Sequence, residues 1–388
     1  MFKPHKGYRI KRKNENAVKI VGGVLLLAVL VFVGYSAMEP ISEYIDRTQQ
    51  TGTEVTDTSG QITVSETKAA DTEPGPDVSE TVASLPHSDD IHTGKAVMLA
   101  DDVTKSEVEL ISALDRAKNE GATAVIIPMK TEGGIYHYRT SIETVYTSVT
   151  DPIRSELTAD TIAKAASDRG IAPCAYISVL TDNNRYGDTR VGAYRSPDGS
   201  PWIDGDPSKG GKPWISPFER DASVLMCAIC TEIADAGFTQ IVCDGFVFPE
   251  FSDLDVQILG EKVMDEKQRK SAVMDLIQRM TNSARSAGAD VLIRIPVRDV
   301  IKETGLMDAE RLSGCSLLAD MGDTSRITKV NGNDLTPLDT AHKTSALYVA
   351  LAAHTEGLVT YPMFTTSEED DLIAEALSEI DCHSYYVY

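Results

Sequence analysis

The chemistry of this chain is most concentrated between Trp214 and Pro249, WISPFERDASVLMCAICTEIADAGFTQIVCDGFVFP. Apolar side chains at helical spacing run from Phe218 to Ala236, and Gly237 stands where a left-handed helix cap belongs. Gln240–Cys243 then make a short β-rich run that ends in Asp244, with Gly245, two phenylalanines and Pro249 immediately behind it. A carboxylate at the C-terminal end of a buried parallel strand sits where α/β barrels place their reacting groups. There it can serve as base or nucleophile. The plainer role for the same Asp is to cap the turn that follows.

The elements that position Asp244 repeat along the chain. Ala117–Lys130, Ala166–Val179, Ile233–Phe246 and Ala284–Val297 share one grammar: a helix end, a Gly, a residue or two of turn, then a continuous apolar run. Gly121, Gly170, Gly237 and Gly288 suit the left-handed cap, and the runs lack the alternation of a strand with one wet face. Further strands are expected at Lys95–Ala100, Cys315–Met321, Gly357–Phe364 and Ser384–Tyr388, with helices at Lys105–Glu120, Asp339–His354 and Ser367–Ile380. Eight strands alternating with helices predict a (β/α)8 TIM barrel, a fold of about 250 residues. A doubly wound open sheet is the competing topology, but no Gly-rich dinucleotide fingerprint or P-loop follows the first strand.

The first residues do not belong to that fold. Lys3, Lys6, Arg9, Lys11, Arg12, Lys13 and Lys19 precede an uncharged run at 20–38. At 1.5 Å per residue this run spans about 28 Å, enough for a bilayer core of about 30 Å. The expected order is a basic cytoplasmic tail (1–19), a transmembrane anchor (20–38), an acidic Ser/Thr-rich linker (39–94) and the barrel (95–388). By the positive-inside rule the N-terminus is cytoplasmic and the barrel extracellular, which makes a single-pass cell-membrane protein. A cleaved signal peptide is the rival reading, but VGYSAMEP offers only a poor cleavage site. Residues 48–93 contain no aromatic side chain and no apolar periodicity, so a disordered tether is expected. The net charge of −22 argues against a nucleic-acid partner. The six cysteines do not read as a disulfide framework, and Cys227-x-x-Cys230 lacks the second pair or nearby His that a zinc site needs. No metal or other cofactor is expected, because the seven histidines are scattered and no strand end carries a His/Asp set.

Four segments resemble the glycoside hydrolase domain family, TIM-barrel domains found in many membrane-anchored bacterial proteins. Trp214-Ile-Ser-Pro217-Phe218 is similar to that family's Trp-x-x-Pro-Tyr/Phe opening, and Ala234-Asp-Ala-Gly237-Phe238-Thr239 to its Ala-x-x-Gly-Phe-Asp-x-Ile/Val element, with Thr239 where the family has Asp. Cys243-Asp244-Gly245-Phe246-Val247-Phe248-Pro249 matches the strand end Phe-Asp-Tyr-Val/Ile-Arg-Phe-Pro. Met129-Lys130-Thr131-Glu132-Gly133-Gly134 looks like a second motif, Val-Lys-Asp-x-x-Gly. The resemblance covers about residues 95–388. It departs from the pattern at Gly245, where the family has Tyr, in the family's Arg, which is Phe248 or missing altogether, and after Lys130, where the acids are reduced to Glu132.

The resemblance implies sugar cleavage by two carboxyl groups, about 5 Å apart for retention or 6.5–9.5 Å for inversion. Asp244 is the expected nucleophile or base. Glu250, flanked by Pro249 and Phe251, is the first choice for general acid, because apolar enclosure raises a carboxyl pKa. Glu132 and Asp320 follow it, and Asp101 and Asp102 cap the first helix or join the same rim. For substrate binding the candidates are Lys130, Tyr136, Tyr176, Trp202, Trp214, Phe246, Arg294 and Tyr361. Trp202 and Trp214, the only tryptophans, lie in a loop at Leu180–Pro217 on the Asp244 rim. Trp202 is either a sugar platform or packing, while Pro213 and Pro217 make Trp214 look structural. The expected partner is a cell-wall or other carbohydrate. The second reading is a catalytically inactive barrel that binds envelope glycan or an envelope protein. Paired carboxyls in an open cleft favour hydrolysis. An Asp244 tied to Lys130 or Arg294 favours the binding barrel.

Overall fold

Each apolar run behind a helix-ending glycine becomes a strand covered on both faces. The computed structural model describes residues 94–388 apart from 147–151, 183–190, 302–311, 313, 323, 325, 356–357, 366–369, 381 and 383. All of them lie in the second of the chain's two compact units, Val82–Tyr388. The expected tail at 1–19, the anchor at 20–38 and the linker at 39–94 lie outside the described residues, except for Gly94, which opens the first strand. Among the described residues, no helix is long and apolar enough to cross a membrane.

The strands are β1 (Gly94–Met98), β2 (Ala122–Lys130), β3 (Ala172–Ser178), β4 (Gln240–Asp244), β5 (Asp290–Pro296), β6 (Ser316–Asp320), a small hairpin β7 (Lys329–Val330) and β8 (Asn333–Asp334), then β9 (Thr360–Phe364) and β10 (Ser384–Val387). Eight of them close into a barrel in the order β1-β10-β9-β6-β5-β4-β3-β2. Every barrel pair is parallel. Closure excludes the open doubly wound sheet and leaves no edge strand unpaired.

The helices are α1 (Glu107–Asn119), α2 (Glu143–Tyr146), α3 (Ala159–Ser167), α4 (Arg220–Asp235), α5 (Asp253–Leu259), α6 (Glu266–Ser286), α7 (Val297–Ile301), α8 (Thr340–His354) and α9 (Asp370–Ile380). Side-chain oxygens set several of their starts. The Ser106 hydroxyl accepts from the Glu109 amide at α1, and the Asp339 carboxylate from the His342 amide at α8. The expected cap for the first helix was Asp101 or Asp102. Instead Ser106 caps it, and Asp102 pairs with Lys105 at 3.0 Å.

Period-two alternation splits each strand between two cores. On β4, Ile241 and Cys243 face outward into the layer beneath the helices, where Ile229 and Ile277 also lie. Val242 faces inward and packs with Ala124, Cys174, Leu292 and Leu318 in the barrel interior. The floor of that interior is polar. Gln240 Oε1 accepts from the Tyr386 hydroxyl at 2.7 Å and from the Cys174 thiol at 3.1 Å. The register then carries every second β4 residue up the inside of the barrel, from Gln240 at the floor to Asp244 at the mouth.

Candidate active site

Three consecutive strands end in inward-facing charged residues or place them near the mouth: Asp244 on β4, Arg294 on β5 and Asp320 on β6. Their guanidinium and carboxylates meet. Arg294 Nη1 donates to Asp244 Oδ2 at 2.9 Å. Its Nη2 and Nε donate to Asp320 Oδ2 at 2.7 and 3.2 Å. The remaining Asp244 acceptors are used as well. The Tyr176 hydroxyl donates to Oδ2 at 3.2 Å, and the Gly245 amide to Oδ1 at 2.6 Å. The Gly322 amide holds Asp320 Oδ1 at 2.9 Å.

Solvent still reaches this cluster. The side chains of Arg294, Asp244 and Asp320 retain 14, 26 and 22% exposure. Burial works to lower the Arg294 pKa, but the Asp244 and Asp320 charges outweigh it and push the guanidinium above its ordinary value. Burial, reinforced by the Asp244 charge, pushes the Tyr176 phenol well up. Tyr176 therefore keeps its proton and acts as the donor to Asp244. Glu132, in the exposed loop after β2, adds a smaller negative contribution that also raises the Tyr176 phenol. One guanidinium thus bridges two carboxylates at the barrel mouth.

The close approach at β4 accounts for the departure at position 245. Gly245 has φ +72°, and a Cβ there would lie 2.6 Å from both Ser178 Oγ and Thr181 Oγ1. No tyrosine fits that position in this chain.

Lys130 is fully buried at the end of β2, where Nζ donates to the Ser178 carbonyl at 2.7 Å and pairs with Asp182 at 3.5 Å. It braces the β3 loop, and of the two cations expected near Asp244, Arg294 is the one that pairs with it. Glu250 is exposed. Its neighbours Phe248 and Phe251 pack away from it, into an aromatic cluster with Tyr194, Trp202 and Phe218. The apolar enclosure expected around the Glu250 carboxyl is therefore absent.

The aromatic candidates mostly leave the mouth. Trp202, read as a possible platform, is 5% exposed, and its Nε1 donates to Asp255 at 2.8 Å. Trp214 donates to Asp204 at 2.8 Å and carries Lys212 Nζ over its ring at 5.1 Å, which makes it a loop fastener. Phe246 and Tyr136 are buried in the outer core. Tyr138 beside them turns outward to donate to Glu232 of α4 at 2.7 Å. Tyr361 meets the Tyr386 ring at 5.7 Å. It pairs with Leu318, whereas Asp320 pairs with Met363, so Tyr361 lies in the packing below the acids. Of the expected binding residues, Tyr176 and Arg294 join Asp244 and Asp320.

One mouth residue escaped the sequence reading. Tyr388 stacks over the Arg294 guanidinium at 4.3 Å. The only available signal was its place two residues beyond Tyr386, on the same side of the last strand.

Residues 96–299 match the family described as "Putative glycosyl hydrolase domain". No curated protein matches the chain. Among solved structures, the chain is similar to the glycoside hydrolase domain of PgaB (BpsB) from Bordetella bronchiseptica at 15% identity, over 76% of this chain and 93% of that one, with a TM-score of 0.48. A hypothetical protein from Ruminiclostridium thermocellum is similar at 18% identity, over 51% of this chain and 96% of that one, with a TM-score of 0.39. A D-psicose 3-epimerase from Clostridium cellulolyticum is similar at 9% identity, over 76% and 83%, with a TM-score of 0.42.

Proposed function

The chain belongs to this glycosyl hydrolase domain family, and from that premise we propose that it hydrolyses a cell-surface or environmental polysaccharide at the mouth of the barrel. The observation that carries the proposal is the pair of partly exposed carboxylates, Asp244 and Asp320, at one barrel mouth; the Arg294 bond to Asp244 counts toward the second reading below. Asp244, held by Tyr176 and the Gly245 amide, is the nucleophile or the base that activates water. Asp320 places a second negative charge beside an oxocarbenium-like transition state. The proton for the leaving oxygen comes from an exposed rim acid. Glu132 is our choice over Glu250, because its charge reaches the Tyr176 hydroxyl. Arg294 sets the spacing of the two carboxylates.

The proposal extends to delivery. Residues 1–19 form a basic cytoplasmic tail, 20–38 a membrane anchor, and 39–94 a linker that presents the barrel outside the cell.

One observation favours a second reading. Asp244 Oδ2 is already shared by Arg294 and Tyr176, and nucleophilic attack requires that pair to give way. On this reading the barrel is catalytically inactive and binds envelope glycan or an envelope protein. Incubating the full-length protein with a panel of cell-wall and storage glycans separates the two. Hydrolysis predicts new reducing ends, with Asp244→Asn slower by about 10²–10⁴-fold while still unfolding cooperatively. Glycan binding without any release of reducing ends establishes the second reading. Full activity in Asp244→Asn removes Asp244 from the mechanism.

A further inference from the structure

We infer that Tyr388 is the sugar-stacking platform of this site; the inference rests on the glycan reading above. The backbone dictates where the ring stands. The Tyr388 amide donates to the Phe364 carbonyl at 2.8 Å, which continues the β9–β10 ladder one residue past Val387. Side chains alternate along that ladder. Tyr385 lies on the outer face, where its ring meets Phe364 at 6.3 Å. Tyr386 points into the barrel and reaches Gln240 at the floor. Tyr388 shares the side of Tyr386 but stands one layer higher, at the mouth.

Its surroundings there are those of the proposed chemistry. The ring centroid is 4.3 Å from the Arg294 guanidinium carbon, the group that holds both Asp244 and Asp320. Attraction between the cation and the ring fixes the orientation of the phenol without burying it. Tyr388 remains 47% exposed, more than any other Phe, Tyr or Trp side chain whose exposure the structure describes. The guanidinium lies over one face of this ring, so a ligand partner has the other. A pyranose ring makes such a partner, with its apolar C–H face on the phenol and its hydroxyls toward the charged groups. Tyr388 and both carboxylates thus share one guanidinium at the mouth. The aromatics that sequence suggested for stacking, Trp202 and Trp214, have their ring N–H groups tied to Asp255 and Asp204 instead.

The experiment is equilibrium binding of soluble chito-, cello- and xylo-oligosaccharides and muropeptides to the full-length protein by calorimetry. It compares Asp244→Asn alone with Asp244→Asn carrying Tyr388→Ala, Tyr388→Phe or Tyr388→Trp. Using the Asp244→Asn background separates binding from turnover. The platform predicts that affinity falls roughly tenfold or more in Tyr388→Ala and stays within about twofold in Tyr388→Phe and Tyr388→Trp. The thermal unfolding midpoint is expected to be the same in all four. Oligosaccharide binding that Tyr388→Ala leaves unchanged overturns the platform and spares the glycan reading. A loss in Tyr388→Phe equal to that in Tyr388→Ala also overturns it, because the hydroxyl and not the ring face is then the contact. Failure of the parent protein to bind any oligosaccharide overturns the glycan reading, and the platform falls with it.

Discussion

Arg294 is the residue on which the mouth of the barrel depends. It spends three N–H groups on two carboxylates and lends its π-face to Tyr388. Only the planar guanidinium fork can do all of this at once. Replacing it with Leu leaves Asp244 and Asp320 facing each other without a counterion. Breaking a buried pair in this way costs about 3–5 kcal/mol, and the residual exposure of these side chains puts Arg294→Leu near the lower end. Arg294→Lys keeps the charge but cannot fork, so its expected loss lies between wild type and Arg294→Leu. Urea denaturation at neutral pH reads both; a loss below about 1 kcal/mol for Arg294→Leu contradicts the ascribed role. At this scale the sequence was partly legible. Asp244, Arg294 and Asp320 each stand out as charges at or near the ends of apolar runs. Their meeting does not, because it depends on the register between β4, β5 and β6, which no single run encodes. Tyr388 was missed for the same reason: only the ladder to Phe364 shows which side of the sheet it faces.

At the scale of elements, the barrel strands were legible and the loops were not. A continuous apolar run behind a left-handed glycine has few other folds to adopt, and all eight expected runs became barrel strands. The hairpin β7–β8 has two residues per strand, too short for any periodic signal. The buried aromatic cluster was equally hidden, since Trp202 finds Asp255 across 53 residues of sequence. The loop after β2, which carries Glu132, is held by a partner that also lay beyond local pattern. Glu232 on α4 accepts from the Tyr138 and Thr140 hydroxyls at 2.7 and 2.6 Å, and from the Ser141 amide and hydroxyl at 2.5 and 2.6 Å. Burial, and then the Glu232 charge, push the Tyr138 phenol well above its ordinary value, so it stays the donor. Glu232→Ala strands that hydroxyl in the core and is expected to cost about 1–3 kcal/mol. The loss should be local: amide exchange accelerates across residues 136–142 while β4 and β5 keep their protection. Uniform acceleration across the barrel, or none at 136–142, contradicts a clamp on this loop.

For the whole molecule, the charge of −22 coexists with a strongly basic N-terminal tail, so the acidity belongs to the residues beyond 38. An acidic domain gains nothing electrostatically from anionic headgroups, so membrane association must come from the first 38 residues, through the basic tail or the apolar run at 20–38. That makes the proposed topology separable from mere surface adhesion. In a bacterial host the full chain is expected in the membrane fraction and is expected to stay there in high salt and alkaline carbonate, which strip proteins held by charge. Chloride salt does not weaken the burial of an apolar span, whereas it screens surface charges over about 8–10 Å. The second half of the topology is orientation. A protease added to intact cells should cut within 39–94 and release a barrel-sized fragment, because the barrel closes on itself between β1 and β10 and offers no open edge to attack. A chain that salt elutes, or a barrel cleaved only after lysis, rules out the anchored, outward-facing arrangement while leaving the Asp244–Arg294–Asp320 chemistry to be tested on its own.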